Sequence, residues 1–488
     1  MGLLPAFVAI PLLTALVLNI VEQKSWYTHI LALSSSIFLA VLSFFTPQTH
    51  GIYYVGGFGP HIGINMMIDP LNRLILIVVQ VIVMLACWYS VGYMEHYTSK
   101  SRFYAFVFLM LAGMNGIILT ADFFNFYVFM EIATLASYVL VSYGGRSYEL
   151  EASFKYMILG SISSLFMLLG IALIYSQTAA LNMMVAAERI DPAHPVTFLI
   201  IVLFLAGLGL KSAIFPFHSW LPDAHSSAPA PISAILSGVL IKAVGIYVML
   251  RFVFNFIGSE NAPLTMLAWL GVIGAFVGVV LALGQKDLKR LLACSSVSQV
   301  GYIFIGIGLG TPLGLAGALL HLISHSASKS LLFFSAGSIE YSANERNITL
   351  LGGLKKLMPW THLGNFIGFS AIGGIPPLSG FWSKLLILLA CVSAGQWLIG
   401  LLAALFAIMT LSLLPKIEKN VFTGDIPEHL KKTKESPSSM IIPMIVLSFF
   451  CLGIGLIYLV PSWNQNILTS AVEVLMDGRW LGAINNVP

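Results

Sequence analysis

The chain has 488 residues, of which 58% are hydrophobic and only 9% are charged. Such a composition cannot cover a water-facing surface with charged side chains, so it excludes an ordinary soluble protein and indicates a polytopic membrane protein. The formal net charge of +4 is small and gives no reason to expect nucleic acid as a partner.

Apolar runs of membrane-spanning length recur along the whole chain. A helix needs about 20 residues to cross the hydrocarbon core of a bilayer. Fourteen runs qualify, at residues 3–21, 27–45, 71–93, 103–120, 123–143, 154–176, 196–216, 232–254, 265–284, 291–309, 314–338, 363–393, 396–415 and 440–461. We therefore predict an all-α polytopic membrane protein with about 14 transmembrane helices in contact with the lipid bilayer.

Two of these runs contain signals for a broken helix. The seventh leads into the sequence FPFHSWLP, and the twelfth is too long for one straight helix and contains IGGIPPLSGFWSK. Proline removes a backbone donor and interrupts a helix. The backbone groups freed at such a break must be buried in protein or line a wet cavity. We predict that helices 7 and 12 are broken inside the membrane.

Basic residues in the loops favour one side of the membrane. With loops on alternating sides, one side holds only Arg73, Arg189, Arg251 and Arg479. The opposite side, which we call the basic face, holds Lys24, Lys100, Arg102, Arg146, Lys155, Lys286, Lys289, Arg290, Arg346, Lys355, Lys356, Lys416, Lys419, Lys431, Lys432 and Lys434. Cytoplasmic loops carry the excess of Lys and Arg. We predict that the basic face is cytoplasmic, that both termini are non-cytoplasmic, and that the protein resides in the cell inner membrane.

The remaining lysines fall inside predicted spans, namely Lys211, Lys242, Lys329 and Lys384. A charged side chain near the bilayer centre costs about 2.5–3.5 kcal/mol on insertion scales, so each one indicates a functional site. Among the acids, Glu131 is plainly in mid-span. Five ionisable groups in apolar helices predict more than isolated structural contacts.

Helix 11 adds two histidines to this set. His321, His325 and Lys329 recur every four residues, which places their side chains on one face of the helix, one above the other. The histidine spacing also fits a helical zinc site, but no carboxylate or cysteine is near. We therefore favour a row of titratable groups that relays protons through the bundle.

Structural interpretations apply to several of these residues. A single intramembrane lysine can snorkel or form a structural pair. His218 and His225 flank the break after helix 7, and Asp122 lies at the outer end of helix 5. These three are candidates for an access path, and the two histidines are equally well explained as interfacial fillers.

The sequence predicts no cofactor and no metal. Cys87, Cys294, Cys391 and Cys451 stand singly in apolar runs without a CxxC pair, which argues against an iron–sulfur or zinc site. The loops contain no soluble domain that could hold a nucleotide or a flavin. We predict no catalytic redox site in this chain, so its place in an enzyme depends on its partners.

Several long segments resemble one family. They are FFNFYVFMEIATLASYVLVSYG, KYMILGSISSLFMLLG, LKSAIFPFHSWLPDAHSSAPAPISAILSGVLIKAVGIYVMLR, QKDLKRLLACSSVSQVGYIFIGIG, HLISHSASKSLLFFSAGSI and GGIPPLSGFWSK. They are similar to the antiporter-like subunits of respiratory complex I. The same family includes the D-type subunit of Mrp Na+/H+ antiporters and subunits of membrane-bound hydrogenases, hydrogenase-4 component B and formate hydrogenlyases.

The resemblance implies a fold of fourteen helices with two inverted five-helix repeats. Helices 4–8 and 9–13 form the repeats, and helices 7 and 12 are broken. The corresponding divisions of this chain are 1–102 for helices 1–3, 103–254 for the first repeat, 265–415 for the second, and 416–488 for a cytoplasmic loop, helix 14 and a short C-terminal tail.

The resemblance also implies roles for the ionisable residues. Glu131 and Lys211 match an ion pair between helices 5 and 7, and Lys242 matches the lysine that links two half-channels. His321 and His325 match polar positions on a helix 11 that is also expected to be broken. Lys384 matches the terminal ionisable residue of helix 12, and Lys329 matches a lysine that some members have one turn beyond the histidines.

The implied function is a proton-translocating subunit of a multi-subunit membrane complex. Protons would move along the buried Lys, Glu and His row, coupled to redox chemistry or Na+ exchange in further membrane subunits. A second candidate is the D-type subunit of a stand-alone Mrp antiporter, and a third is a structural membrane anchor without transport. The sequence leaves open whether Na+ passes through this chain.

Overall fold

The computed structural model describes residues 2–20, 25–59, 63–97 and 99–477. The described part of the chain contains fourteen helical spans, which confirms the predicted number. Their bounds are α1 Ala6–Ile20, α2 Ser25–Phe44, α3 Pro70–Tyr93, α4 Lys100–Leu119, α5 Phe123–Val141, α6 Ser147–Thr178, α7 Pro195–Ser212 and Trp220–Ser227, α8 Ala230–Ile257, α9 Leu264–Gly284, α10 Leu288–Gly308, α11 Pro312–Ala343, α12 Pro359–Gly373 and Ser379–Ser393, α13 Trp397–Phe422 and α14 Ser438–Leu459.

Eleven helices in the described ranges are long and apolar enough to cross a membrane. The other spans are α1, the two halves of α12, and α11. The first and the α12 halves are short, with 15 residues each. Helix α11 has 32 residues, but its histidines, lysine and serines lower its hydropathy. Its polarity is compatible with a membrane span because its central part is buried by other helices.

Helices α7 and α12 are broken, as predicted. The first half of α7 ends at Ser212, and Ala213 adopts a left-handed conformation with φ of 53°. The first half of α12 ends at Gly373, and Gly374 has φ of 84°. At the α7 break, the indole of Trp220 donates a hydrogen bond to the Leu210 carbonyl at 2.9 Å, which satisfies one of the freed acceptors.

The expectation that helix 11 is also broken is wrong. Helix α11 is continuous over Pro312–Ala343. Its proline stands at the first position, where a missing N–H costs nothing, and no other proline follows. The hydroxyls of Ser326 and Ser328 donate to carbonyls four residues earlier, at 2.8 and 2.7 Å, so its serines bond along the helix without interrupting it.

Helix α8 contains two π-helical stretches, at Leu236–Tyr247 and Arg251–Ile257, joined by Val248–Leu250. A π-helix is rare and is found mostly at functional sites. Lys242 lies in the middle of the longer stretch. The apolar pattern of the sequence gives no signal for this geometry.

The central helices are enclosed by the others. In α8 and α10 every residue of the apolar 18-residue stretch is buried, whereas in α13 only 28% of the corresponding stretch is buried. Close packing of α9 on α10 depends on glycine, because a Cβ at Gly278 would lie 2.3 Å from the backbone nitrogen of Ser298. Small residues are the usual means by which membrane helices approach each other.

Short elements complete the face opposite the basic face. A hairpin of two antiparallel strands, β1 Gly51–Tyr54 and β2 Asn65–Ile68, joins α2 to α3. A short helix, Met183–Arg189, follows α6. After α14 the chain forms helical segments at Pro461–Trp463, Asn464–Thr469 and Ser470–Met476. The last of these is anchored by the Asn255 amide, which donates to the Val474 carbonyl at 2.8 Å.

Candidate functional site

The fold places the intramembrane lysines and histidines in the buried centre of the bundle. We call Lys211, Lys242, Lys329, His325, His321 and Lys384 the ionisable row. Every member is buried, with at most 4% of its surface exposed. The row runs from the α7 break through α8 and α11 to the α12 break.

Lys211 lies in the last turn of the first half of α7, directly before the break. Its Nζ atom is buried and has no hydrogen-bond partner, and the same is true of Glu131 Oε1 on α5. Glu131 exerts the electrostatic influence of an opposite charge on Lys211, but their atoms do not come within the 4.0 Å of a salt bridge. The structure therefore brings the predicted partners into each other's field and leaves the pair open.

Lys242 occupies the π-helical part of α8. Its Nζ atom donates to the Ser237 carbonyl of the same helix, and the Ser237 hydroxyl is 2.9 Å from the hydroxyl of Ser296 on α10. A Cβ at Gly245 would lie 2.7 Å from the backbone nitrogen of Ser212. Glycine at this position thus lets α8 approach the end of the α7 half that carries Lys211.

Helix α11 provides three consecutive members of the row. Lys329 Nζ donates to the Leu292 carbonyl at 2.7 Å and to the Ser295 hydroxyl at 2.5 Å, both on α10. The His321 and His325 rings are stacked with centroids 6.3 Å apart. Both ring nitrogens of His325 and Nε2 of His321 have no hydrogen-bond partner. The predicted common face of these three residues is confirmed.

Lys384 ends the row in the second half of α12. Its Nζ atom donates to the Ile372 carbonyl at 2.5 Å, across the break, and lies 4.9 Å from the centroid of the Tyr302 ring. His321 Nδ1 is 2.9 Å from the Ser383 hydroxyl, next to Lys384. A carbonyl dipole and an aromatic face both favour an ammonium group.

The access-path candidates differ in their surroundings. His225 is fully buried, both of its ring nitrogens are unpaired, and the charges of Lys242 and Lys329 act on it. His218 is half-buried in the α7 break and stacks on Phe215. Asp122 caps α5 by accepting a hydrogen bond from the Asn125 backbone at 2.8 Å. These contacts join His225 to the row and give Asp122 a capping role.

Sequence reasoning missed several buried polar groups. Gln299 on α10 is fully buried, and both of its amide atoms are unpaired. Arg251, assigned above to a loop, is buried and pairs with Asp69 at 2.5 Å. Lys289, also assigned to a loop, is 1% exposed and pairs with Glu340 at 3.5 Å. The sequence did contain a signal for Gln299, because this amide lies inside the predicted span 291–309, in the segment SSVSQVGY.

In the part of the chain that the structure describes, no three His, Cys, Asp or Glu side chains lie close enough together to hold a metal ion. The four cysteines are buried and free. The chemistry offered by the site is that of proton transfer among amines, imidazoles and one carboxylate.

Fourteen helices, two matching breaks and a buried ionisable row define a polytopic membrane protein built from inverted repeats. Two family descriptions match the sequence. "NADH:quinone oxidoreductase/Mrp antiporter, TM" matches residues 120–410, and "NADH-Ubiquinone oxidoreductase (complex I), chain 5 N-terminus" matches residues 54–104. The chain belongs to the family of NADH:quinone oxidoreductase and Mrp antiporter membrane subunits.

Relatives from both branches of this family cover most of the chain. The NADH-quinone oxidoreductase subunit N of Desulforudis audaxviator is 36% identical over 88% of this chain and 87% of its own length. The D-type subunit of the Na(+)/H(+) antiporter of Alkalihalophilus pseudofirmus is 32% identical over 86% of this chain and 85% of its own length. The resemblance predicted from the sequence motifs is therefore confirmed.

Solved structures agree with the fold. A chain of the Mrp complex from Dietzia sp. DQ12-45-1b superposes with a TM-score of 0.90 at 26% identity, with 97% of each chain covered. A chain of the membrane-bound sulfane sulfur reductase, an archaeal respiratory membrane complex, superposes with a TM-score of 0.90 at 29% identity, with both chains fully covered. Both are multi-subunit membrane assemblies.

Proposed function

We propose that this chain is a proton-translocating, antiporter-like subunit of a multi-subunit membrane complex and that protons move along the ionisable row. One observation carries the proposal. Lys211 Nζ, both ring nitrogens of His325 and His225, and Nε2 of His321 are buried without a hydrogen-bond partner. Each such group costs about 1–3 kcal/mol if it stays unpaired.

Buried polar groups with a purely structural role are normally hydrogen-bonded within the protein. Water satisfies unpaired buried polar atoms, because it both donates and accepts hydrogen bonds. A hydrated row of amines and imidazoles is a path along which protons can pass. The unpaired atoms therefore favour proton transfer over a structural anchor.

Electrostatics supplies the coupling in this proposal. Closing the Glu131 to Lys211 pair neutralises the charge of Lys211, and opening it exposes that charge to the rest of the row. The freed charge repels the proton on Lys242 toward His325 and His321. The proton then passes to Lys384, and water enters at the α7 and α12 breaks.

The driving signal must come from partners in this proposal, because no redox centre is predicted in the chain. Further antiporter-like subunits and small membrane subunits are the expected partners. The NADH-quinone oxidoreductase relative favours coupling to redox chemistry, and the D-type antiporter relative favours the second candidate, a stand-alone Mrp antiporter that exchanges Na+ for H+. The composition of the purified complex separates these two.

We also propose an orientation of the chain in the membrane and a division of the chain into four parts. The basic face is cytoplasmic, in the cell inner membrane, and both termini lie on the opposite side. Residues 1–102 form the N-terminal helices, 103–254 and 265–415 the two repeats, and 416–488 the remainder. Tagging the termini and testing their accessibility from each side of the membrane checks the orientation.

Proton uptake by the intact complex in sealed vesicles tests the function. Lys211→Ala and Glu131→Ala are expected to abolish coupled proton uptake while the complex still assembles. Lys431→Ala is the matched control, because Lys431 forms an exposed bridge to Glu428 on the basic face, away from the broken helices. Unchanged uptake in assembled Lys211→Ala and Glu131→Ala complexes would contradict the proposal and favour the structural anchor.

A further inference from the structure

A cavity of about 830 Å³ opens on the basic face. It lies where α3, α5 and α11 end and where α4 begins. Its lining residues include Tyr93, His96, Tyr97, Arg102, Arg146 and Glu340. Glu340 is the carboxylate among them, and its side chain is 23% exposed. No residue of the α7 break, where the proposed function admits water to Lys211, is among the lining residues of this cavity.

A continuous set of contacts leads inward from Glu340. The Tyr93 hydroxyl donates to Glu340 Oε2 at 3.2 Å, and Lys289 Nζ lies 3.5 Å from the same oxygen. Lys289 also donates to the Ala228 carbonyl at 2.5 Å. Lys289 is only 1% exposed, so the Glu340 to Lys289 pair connects the cavity to the closed interior.

Two steps lead from Lys289 towards the ionisable row. The first runs through residues 225–228, because Ser233 donates to the carbonyls of both His225 and Ala228. His225 has two unpaired ring nitrogens, and Lys242 and Lys329 act on it electrostatically.

The second step runs along α10. Lys329 is bonded to Leu292 and Ser295, which follow Lys289 on the same helix. At a rise of 1.5 Å per residue, these positions are about 4.5 and 9 Å from Lys289 along the helix axis. Lys289 is thus separated by less than two helical turns from the α10 residues that bind Lys329.

We propose that Tyr93, Glu340 and Lys289 form a second proton uptake site, which supplies Lys329 and Lys242 from the basic face independently of the α7 break. This inference rests on the proposed function. A proton from the cavity binds the Glu340 carboxylate. Lys289 releases a proton toward His225, and the resulting neutral amine takes up the proton of Glu340, which restores the carboxylate and the ammonium.

A structural lock between α10 and α11 is the alternative interpretation. That task is already performed by Arg346, which pairs with Asp287 at 2.8 Å and with Glu340 Oε1 at 3.7 Å on the same face and needs no contribution from Lys289. A lock needs no buried ammonium, whose removal from water costs several kcal/mol. Glu340 lines the cavity, and Lys289 contacts it from the buried side. This arrangement is explained if protons pass from Glu340 to Lys289.

Several groups surround Glu340 and set the conditions for its titration. They are Lys289 on α10 with Asp287 directly before that helix, Arg346 after α11, Tyr89, Tyr93 and Tyr97 in or after α3, and the cavity residues His96, Arg102, Tyr143, Arg146 and Tyr341. Burial, with Glu340 and Glu149 nearby, raises the pKa of Tyr97 to about 12. Its phenol therefore stays protonated over the working range of pH.

Proton uptake by the intact complex, measured against the pH on the basic face, tests the site. Glu340→Gln is expected to lower uptake about tenfold or more at alkaline pH and less at acidic pH, because a proton-collecting group matters most when protons are scarce. Glu340→Asp is expected to restore uptake in part. Tyr93→Phe, which removes only the hydroxyl, is expected to shift the same profile by a smaller amount.

Asp287→Asn is the matched control. Asparagine keeps the cap that Asp287 gives to α10 and removes one of the two carboxylates that hold Arg346, the other being Glu340. A wild-type pH profile in assembled Glu340→Gln and Tyr93→Phe complexes would overturn the uptake site. An equal loss at every pH, shared by Asp287→Asn, would overturn it as well and identify a lock.

The Lys211→Ala variant separates this outcome from the proposed function. If Lys211→Ala abolishes uptake and Glu340→Gln leaves the pH profile unchanged, the uptake site is overturned and the proposed function stands. If Lys211→Ala has no effect either, both are overturned.

Discussion

The two broken helices hold their lysines in different ways. Lys211 at the α7 break has an unpaired Nζ atom and a carboxylate in its field, that of Glu131 on α5. Lys384 at the α12 break donates to a carbonyl at 2.5 Å and faces the Tyr302 ring. Inverted repeats pair α5 with α10, yet α10 contains no Asp or Glu. The first repeat therefore contains an open pair of opposite charges. In the second repeat, Lys384 is held by two neutral groups, the Ile372 carbonyl and the Tyr302 ring, which we call the neutral cradle.

The difference suggests unequal tasks for two copies of one architecture. A pair of charges responds strongly to small changes of separation, because its energy depends on distance and on local water. A carbonyl and an aromatic ring hold a charge within one geometry and respond less. We infer that the first repeat receives the signal from a partner and that the second repeat stabilises the charge on its way out.

Removing the charge pair should have the largest effect. Glu131→Gln makes α5 resemble α10, since it keeps the size of the side chain and eliminates its charge. Coupled proton uptake by the intact complex is expected to fall at least about tenfold, because Lys211 loses the opposite charge to which it responds. An uptake rate within twofold of wild type would show that the two repeats do not differ in this respect.

The neutral counterpart on α10 should have a smaller effect. Gln299 is eleven residues from the start of α10, and Glu131 is ten residues from the end of α5, so both lie at mid-helix. Gln299→Leu is nearly isosteric and removes two unpaired polar atoms. We expect uptake to fall about fivefold, because losing one hydrogen bond to the proposed hydrated row costs about 1 kcal/mol. The same substitution at Gln80, whose amide is bonded to Asn115 at 2.6 Å, is the control and should leave uptake unchanged.

The aromatic part of the cradle should contribute less again. Tyr302→Leu removes the ring over Lys384 and is expected to lower uptake about two- to fivefold, since an ammonium on an aromatic face gains about 0.5–1 kcal/mol or somewhat more when buried. Tyr302→Phe keeps the ring and removes only the hydroxyl, which donates to the Ala403 carbonyl at 2.7 Å. Equal losses in the two variants would show that the hydroxyl, and not the ring, matters.

Much of the fold could be predicted from the sequence, because lipid imposes simple rules. Each span must be apolar over about 20 residues, and each break needs proline or glycine. The fourteen spans and the α7 and α12 breaks follow from those rules. The π-helical geometry around Lys242 does not, because a π-helix has the same composition as an α-helix. Continuity of α11 could have been predicted from its lack of an internal proline.

The candidate site was predictable in its members and not in its contacts. An ionisable residue in an apolar run is visible in the sequence, which is why Lys211, Lys242 and Lys384 were identified. Counting basic residues by side of the membrane placed Lys289 and Arg251 in loops, whereas both are buried and pair with Glu340 and Asp69. Which groups remain unpaired depends on tertiary packing, and only the structure shows it.

The Asp69 to Arg251 pair should have the smallest effect on transport. It lies at the far end of α8 from the basic face, and both side chains are nearly inaccessible, at 4% and 6% exposure. Asp69→Asn retains the cap that Asp69 gives to α3 and removes the carboxylate charge that pairs with buried Arg251. Breaking such a pair costs about 3–5 kcal/mol, so the solubilised complex should lose its assembled form at a lower temperature.

Transport by each surviving Asp69→Asn complex is expected to match wild type, because the pair is outside the ionisable row. The exposed Glu428 to Lys431 pair is the control, and Glu428→Gln should change the stability by less than about 1 kcal/mol. A loss of uptake per assembled complex in Asp69→Asn would place this end of α8 on the proton path. The Asp69 to Arg251 pair would then contribute to transport although it lies at neither the α7 break nor the α12 break.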